Sequence, residues 1–200
     1  MLVGLVTIAL SSCALFSKGE VSTRRYYSPD LPLQANADMP QHRELQLRLA
    51  RVSANRTLAE RMMTRRSEHE VSFDDDRVWT ERPDAYLSRA VTKVFFEERG
   101  LKSIVGGGPG PTLEVELLRF EEVNAPIHVA RVRIAFALSD ENVVSLQKTI
   151  NVERPIGVFP VDQSGAGVAA SIGEALRAAV TDLSIQVIEA LSKTKGPSNQ

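Results

Sequence analysis

From Glu44 onward the chain switches between two hydrophobic periods. Leu45, Leu47 and Leu49 stand between Gln46, Arg48 and Ala50, the period-two pattern of a strand with one buried face. Leu58 to Arg66 fits strand and helix alike, with Met62-Met63 set among Arg61, Arg65 and Arg66. Val71 and Phe73 alternate with Glu70, Ser72 and Asp74, a further strand that Asp74 to Asp76 should end in a turn. Pro83 then opens a helix, at a position where the missing N–H loses no bond. Leu87, Ala90, Val91, Val94 and Phe95 follow at helical spacing, and Gly100 is placed to close it. Lys102 to Val105 reads as a short strand, and Gly106 to Pro111 as a loop, because four glycines and two prolines in six residues support no regular structure.

The second half has a cleaner pattern. Leu113, Val115 and Leu117 alternate with Glu114 and Glu116; Val129, Val132, Ile134, Phe136 and Leu138 form a second segment; Val143 to Val152 forms a third. The short connections at Asn124-Ala125-Pro126 and Asp140-Glu141-Asn142 suit an antiparallel meander. A polar loop with Gly157, Pro160 and Gly165 leads to Ala166–Leu191, whose stripe of Ile172, Leu176, Ala179, Leu183 and Val187 faces a core. The order of elements predicts an α+β, two-layer domain over 44–192. Its sheet is expected to be largely antiparallel, with about five to six strands packed by two helices on one face. The tail, 193–200, is polar and expected to be disordered.

The first 43 residues do not belong to that domain. Residues 1–12 are apolar and then small, ending Leu10-Ser11-Ser12-Cys13. An apolar run of about ten residues is half of what spans a bilayer as a helix, and it reads as an export signal. The small residues before Cys13 match a lipoprotein cleavage site, so Cys13 is the expected lipid attachment residue. Only Met1 precedes the apolar run, where basic residues are usual; a true start upstream accounts for this. The competing reading is a buried N-terminal strand with an incidental cysteine. Two or three acyl chains on Cys13 would anchor the protein far more firmly than one. Ala14 rather than Asp after the cysteine favours the inner leaflet of the outer membrane. Residues 13–43 form the lipidated N-terminus and tether, with a flexible span of roughly 30 Å. Tyr26 and Tyr27 interrupt that polar stretch and read equally as a docked edge strand or a partner-binding strand.

Charge and composition narrow the chemistry. With 24 basic and 25 acidic side chains the net charge is −1, which gives no general attraction to nucleic acid. Cys13 is the single cysteine, so packing alone must hold the domain. His42, His69 and His128 are too scattered for a helical metal site, and Asp74 to Asp76 lack the glycine and distant glutamate of a calcium loop. Ser164-Gly165-Ala166-Gly167 precedes a helix without the lysine of a phosphate loop, so it reads as a cap. No Gly-x-Ser-x-Gly elbow occurs, and no catalytic residue, cofactor or metal is expected. Trp79, the single tryptophan, reads as a core anchor beside Pro83 before it reads as an interface residue.

The stretch Arg65-Arg66-Ser67-Glu68-His69-Glu70-Val71-Ser72-Phe73, then Trp79-Thr80-Glu81-Arg82-Pro83 and Tyr86-Leu87, carries a more specific signal. With Cys13 and Tyr26-Tyr27 upstream, it resembles the ABC-type transport auxiliary lipoprotein family over about residues 24 to 191. Members of that family accompany transporters carrying MCE domains, including the paraquat-inducible type. The resemblance implies that Arg65, Ser67, Phe73, Trp79 and Pro83 are structural motif positions. It also implies a periplasm-facing outer-membrane lipoprotein that docks on an MCE-domain protein and serves the transport of lipids or other hydrophobic compounds. Two other readings stand beside it: a module that itself carries a lipid between sheet and helices, and an envelope-structural or assembly lipoprotein.

Overall fold

The computed structural model describes residues 23–29, 40–141, 143–157 and 164–194. The signal, Cys13, most of the tether, the Pro160 loop and 195–200 lie outside them, as does Asn142. Chain order is β1 (Arg25–Tyr27), β2 (Gln46–Ala54), β3 (Arg61–Arg65), β4 (Val71–Trp79) and α1 (Pro83–Thr92), which runs on into a π-helical turn, Lys93–Glu98. Then come β5 (Lys102–Ser103), β6 (Thr112–Val123), β7 (Val129–Asp140), β8 (Val143–Pro155) and α2 (Ser164–Thr194).

The described strands form one mixed, eight-stranded sheet, which corrects the expectation of five to six largely antiparallel strands. β6 is its axis. One edge of β6 carries β7 antiparallel along its whole length, and β8 lies antiparallel outside β7. The other edge is shared: β2 runs parallel to Thr112–Leu117, and β3 runs parallel to Glu121–Val123. β5 flanks β2 in parallel, β4 flanks β3 antiparallel, and β1 lies parallel to β4. β4 itself runs antiparallel to β3 and so to β6. The sheet is mixed because β2 and β3 lie end to end along one edge of β6, both in its own direction, and the chain returns through β4 and α1 before β6 begins. β5 is the expected short strand at Lys102, reduced to two residues, and β1 is the docked edge strand that Tyr26 and Tyr27 allowed.

α2 packs on β7 and β8, α1 packs on β2 and β6, and the two helices touch each other, so both cover one face. The apolar stripe of α2 is buried throughout, against Leu113, Val115 and Leu117 of β6 and Val132, Ile134 and Phe136 of β7. Each such side chain contributes about 1.5–3 kcal/mol when fully buried. α1 begins with Arg82 in extended backbone and Pro83 in the first turn, while Asp84 complements the helix dipole. Gly100, at φ 69°, takes the left-handed conformation that ends the helical run, and a Cβ there would run into the Gln41 side chain.

Asp74 to Asp76 do not end the strand. They form a bulge inside β4, where four residues sit between Phe73 and Val78 against a single residue between Arg61 and Met63. The Asp74 carboxylate accepts the backbone N–H groups of Asp76 and Arg77, both at 2.9 Å, and so stabilises the looped-out backbone.

Candidate functional site

The motif residues separate into two groups. Trp79 is buried at the end of β4 and meets Phe120 edge-on at 5.2 Å between ring centroids; Tyr86 stacks on Phe120 at 6.4 Å. The Tyr86 hydroxyl shares a hydrogen bond with Thr80 Oγ1 (2.7 Å) and accepts one from Glu81 N (3.0 Å). Pro83, also buried, starts α1 directly over this cluster. Trp79 therefore fixes the passage from sheet to helix and has no surface to offer a partner. Tyr27 lies opposite Trp79 in the β1–β4 register and is half-buried; its ring sits where any Cβ on Gly165 would have to go. Tyr26 points outward and is exposed.

The second group surrounds a pair of buried glutamates at the far end of β6. Arg65 Nε donates to Glu121 Oε1 at 3.0 Å, and Arg131 Nη1 reaches the same oxygen at 3.3 Å while its Nε donates to Glu153 at 2.7 Å. On the opposite face of β6, Glu122 accepts from Arg77 Nη2 (2.9 Å) and Thr64 Oγ1 (3.2 Å) and meets His128 Nε2 at 2.6 Å. Arg77 also clamps Asp74 at 2.6 Å. Four carboxylates thus face three guanidiniums, and His128 supplies the fourth positive charge when protonated. Burial alone would raise the Asp74 pKa, but the hydrogen bonds from the Arg77 side chain and from two backbone N–H groups outweigh it and hold it below 3.8. Arg77 is likewise raised: burial pulls it down, and Asp74 and Glu122 overcome that. Phe73 is half-buried beneath the Arg61 guanidinium, 5.5 Å from its centroid, and Ser67 is exposed in the β3–β4 turn. The arrangement is a structural brace: each carboxylate in it meets a guanidinium, although Glu121 Oε2 is buried without a hydrogen-bond partner.

Space for a ligand lies elsewhere, in a cleft of about 960 Å³ between α1, with its π-turn, and α2. Its wall is largely apolar, with Tyr86, Ala90 and Val94 on one side and Gly173 and Leu176 on the other. Ligand pockets commonly span about 300–1,000 Å³. The small residues Ala90 and Gly173 both line it. The π-turn widens the helix here, with Arg99 N donating to Val94 O at 2.9 Å, an i→i−5 bond.

Polar and charged residues also line it, among them Arg89, Lys93, Glu97 and Arg177, and one of them, Glu98, is buried. Glu98 falls three and four residues after Phe95 and Val94, on the stripe that α1 turns inward, and its side chain is 5% exposed. Arg177 Nη2 donates to Oε1 at 3.2 Å, whereas Oε2 is buried with no hydrogen-bond partner. An unsatisfied buried acceptor costs about 1–3 kcal/mol. The sequence reading passed over Glu98, although an acid at a stripe position was its visible signal.

Among the described residues no group of three or more His, Cys, Asp or Glu side chains could hold a metal ion. Asp74 is committed to Arg77 and the bulge, and Asp75 to Arg61 at 2.9 Å. No helix among the described residues is long and apolar enough to cross a membrane.

No family model matches the chain, and no curated protein matches it. Solved structures do. Protein XCC0632 from Xanthomonas campestris, described as DUF330, superposes with a TM-score of 0.72 at 22% identity, over 86% of this chain and 99% of its own. An uncharacterized protein gives a TM-score of 0.57 at 15% identity, over 82% and 99%. The hypothetical protein CT253 from Chlamydia trachomatis gives 0.50 at 9% identity, over 74% and 99%. Identities this low establish a shared fold.

Proposed function

We propose that the protein is a lipoprotein anchored through Cys13 in the inner leaflet of the outer membrane. Its domain faces the periplasm and acts as an auxiliary subunit of an MCE-type ABC transport system for lipids or other hydrophobic compounds. In this role it catalyses nothing; it presents a docking domain to the MCE-domain protein. The observation that carries the reading is what the motif residues do. Arg65 neutralises buried Glu121, and Trp79 and Pro83 lock the junction of sheet and first helix. Residues that hold a fold together in this way are the ones through which a family resemblance carries meaning. The surfaces available for docking are the outer edge of β8, where Val143 and Val144 are exposed, the Gly106–Pro111 loop, and Tyr26 on β1.

The test is purification of the tagged full-length protein from its own host in mild detergent, with mass spectrometry of what accompanies it. Recovery of an MCE-domain protein in comparable amount is expected. A folded, membrane-bound bait that brings no transporter component sinks the proposal. Cys13→Ser is the companion variant, expected to leave the fold intact and move the protein to the soluble fraction. Retention on membranes after a high-salt wash would count against lipid anchoring.

A further inference from the structure

We infer that Arg99 anchors a phosphate-binding site where the end of the π-helical turn, the start of β2 and β5 come together. The inference does not depend on the transport reading and survives its failure. Arg99 directly follows the π-turn and is 7% exposed, yet among the described residues its side chain has neither an ion pair nor a hydrogen bond. Nε is sealed from water without an acceptor. The two terminal nitrogens also lack an acceptor but are not sealed, so they are the donors that a ligand reaches. The carbonyls that end the helical run offset part of the charge, but none accepts from the guanidinium. Its neighbours add positive charge. His42 N donates to Arg99 O at 2.8 Å and Lys102 N to Leu45 O at 3.0 Å, so residues 41–46 run alongside 99–103. Arg43 Cγ lies 3.5 Å from where a Cβ on Gly100 would stand. Arg43 and Lys102 are exposed, and neither has an ion pair among the described residues. The acids nearby are engaged elsewhere: Glu98 holds Arg177 at 3.2 Å, and Glu44 lies 3.6 Å from His42.

The chemistry of the guanidinium selects the ligand. It is always charged and only donates, so the group that completes it must be an acceptor and is best an anion. Its planar fork matches two oxygens of a carboxylate or a phosphate. Arg43 and Lys102 decide between them, because further positive charge on the adjoining segments rewards the more highly charged group. A guanidinium held out of water without a counterion opposes folding, so an anion that fills the place relieves that cost when it binds. A free phosphate and the headgroup of a phospholipid carry the same chemistry.

The experiment uses the full-length protein in dodecylmaltoside, a detergent without charge or phosphate, with its arginines labelled by nitrogen-15. The Nε–H signal of Arg99 is identified by its loss in Arg99→Met. Inorganic phosphate, dihexanoyl phosphatidic acid and acetate are titrated separately, with chloride holding the ionic strength constant. Both phosphate compounds are expected to shift the Arg99 signal saturably, at concentrations at least about tenfold below any acetate effect. Tighter binding of the lipid identifies a headgroup as the source, and equal binding a free phosphate; both uphold the site. Arg43→Gln and Lys102→Gln should each weaken phosphate binding about threefold while leaving the Arg99 signal in place. Phosphate should raise the thermal midpoint of the parent but not that of Arg99→Met, which loses no ion pair and should melt no lower than the parent when phosphate is absent. An Arg99 signal that no phosphate compound moves overturns the site. Equal response to acetate overturns the choice of phosphate, and an Arg99→Met variant that unfolds without phosphate overturns the reading of Arg99 as a group without a partner in the fold.

Discussion

The two halves of β6 differ in what they bury: one buries apolar side chains alone, the other buries two glutamates beside Phe120 and Val123. From Thr112 to Leu117 the strand turns Leu113, Val115 and Leu117 into the helix-covered core. Four and five residues further on it buries Glu121 and Glu122, 1% and 7% exposed, each held by arginine. The apolar half is stabilised by removal of surface from water, which is non-directional and tolerates small shifts. The charged half is different: desolvation of the ions opposes folding, and only matched partners compensate it. The same strand thus has one end that degrades gradually when altered and one that fails when a single partner is removed.

The largest effect is expected from Arg77→Ala. It strips Glu122 and Asp74 of their shared guanidinium and should lower stability by about 3–5 kcal/mol in urea unfolding. The contrast sharpens when both members of a pair are removed. Arg65→Leu with Glu121→Met leaves Arg131 its second partner, Glu153, and should lie within about 1 kcal/mol of the parent, although Arg65→Leu alone is strongly destabilising. If the double variant loses as much as the single one, packing rather than charge matching governs this end. On the apolar half, Leu117→Ala should cost about 3 kcal/mol, from lost transfer energy plus the cavity left behind.

How much of this could be read from the amino acids differs between the same two regions. The stripe of α2, the start of α1 at Pro83 and the meander from Leu113 onward all follow from hydrophobic period, because there burial and apolarity coincide. Strand direction did not follow: a half-buried strand alternates in the same way whether its neighbour is parallel or antiparallel, and the alternation does not say which strands become neighbours. The charged half was hidden because Glu121-Glu122 breaks the alternation just where the strand continues, and its partners come from residues 64, 65, 77, 128 and 131, scattered in sequence. Arg65 was marked by resemblance, but the resemblance gave no reason for it. Asp74 to Asp76 looked like a strand terminus because three acids in a row suit a turn; that they form a bulge capped by Asp74 depends on Arg77 returning to the sheet.

The brace also gives the two halves different responses to acid. The folded pKa of Asp74 lies below the ordinary 3.8, so the folded state binds fewer protons than the unfolded chain in that region. The resulting stability is present in full above the unfolded value and is lost as pH falls through the folded one. Asp74→Asn should therefore be weaker than the parent by about 1 kcal/mol near neutrality, and the gap should close below pH 3.8. Urea midpoints of the two proteins measured at pH 7 and again at pH 3 check this. A gap that is constant with pH would mean that the bulge, and not the carboxylate charge, was lost in the variant. Leu117→Ala should show the same deficit at both pH values.

The smallest effect separates distance from burial. Lys193 Nζ lies 2.7 Å from Glu189 Oε1 on the last turns of α2, a shorter contact than the 3.0 Å between Arg65 and Glu121. The Lys193 hydrogen bond and charge lower the Glu189 pKa, yet this carboxylate is fully exposed, and water and salt screen most of what the geometry offers. Glu189→Gln should leave the thermal midpoint unchanged within error at physiological ionic strength. If Glu189→Gln instead destabilises the protein as strongly as Arg65→Leu, contact geometry would set the strength of these pairs and the distinction between the halves of β6 would fall. An unchanged midpoint, together with collapse of the buried pair on losing one partner, places the difference in the environment: an exposed ion can turn to water, while Glu121 has only Arg65 and Arg131.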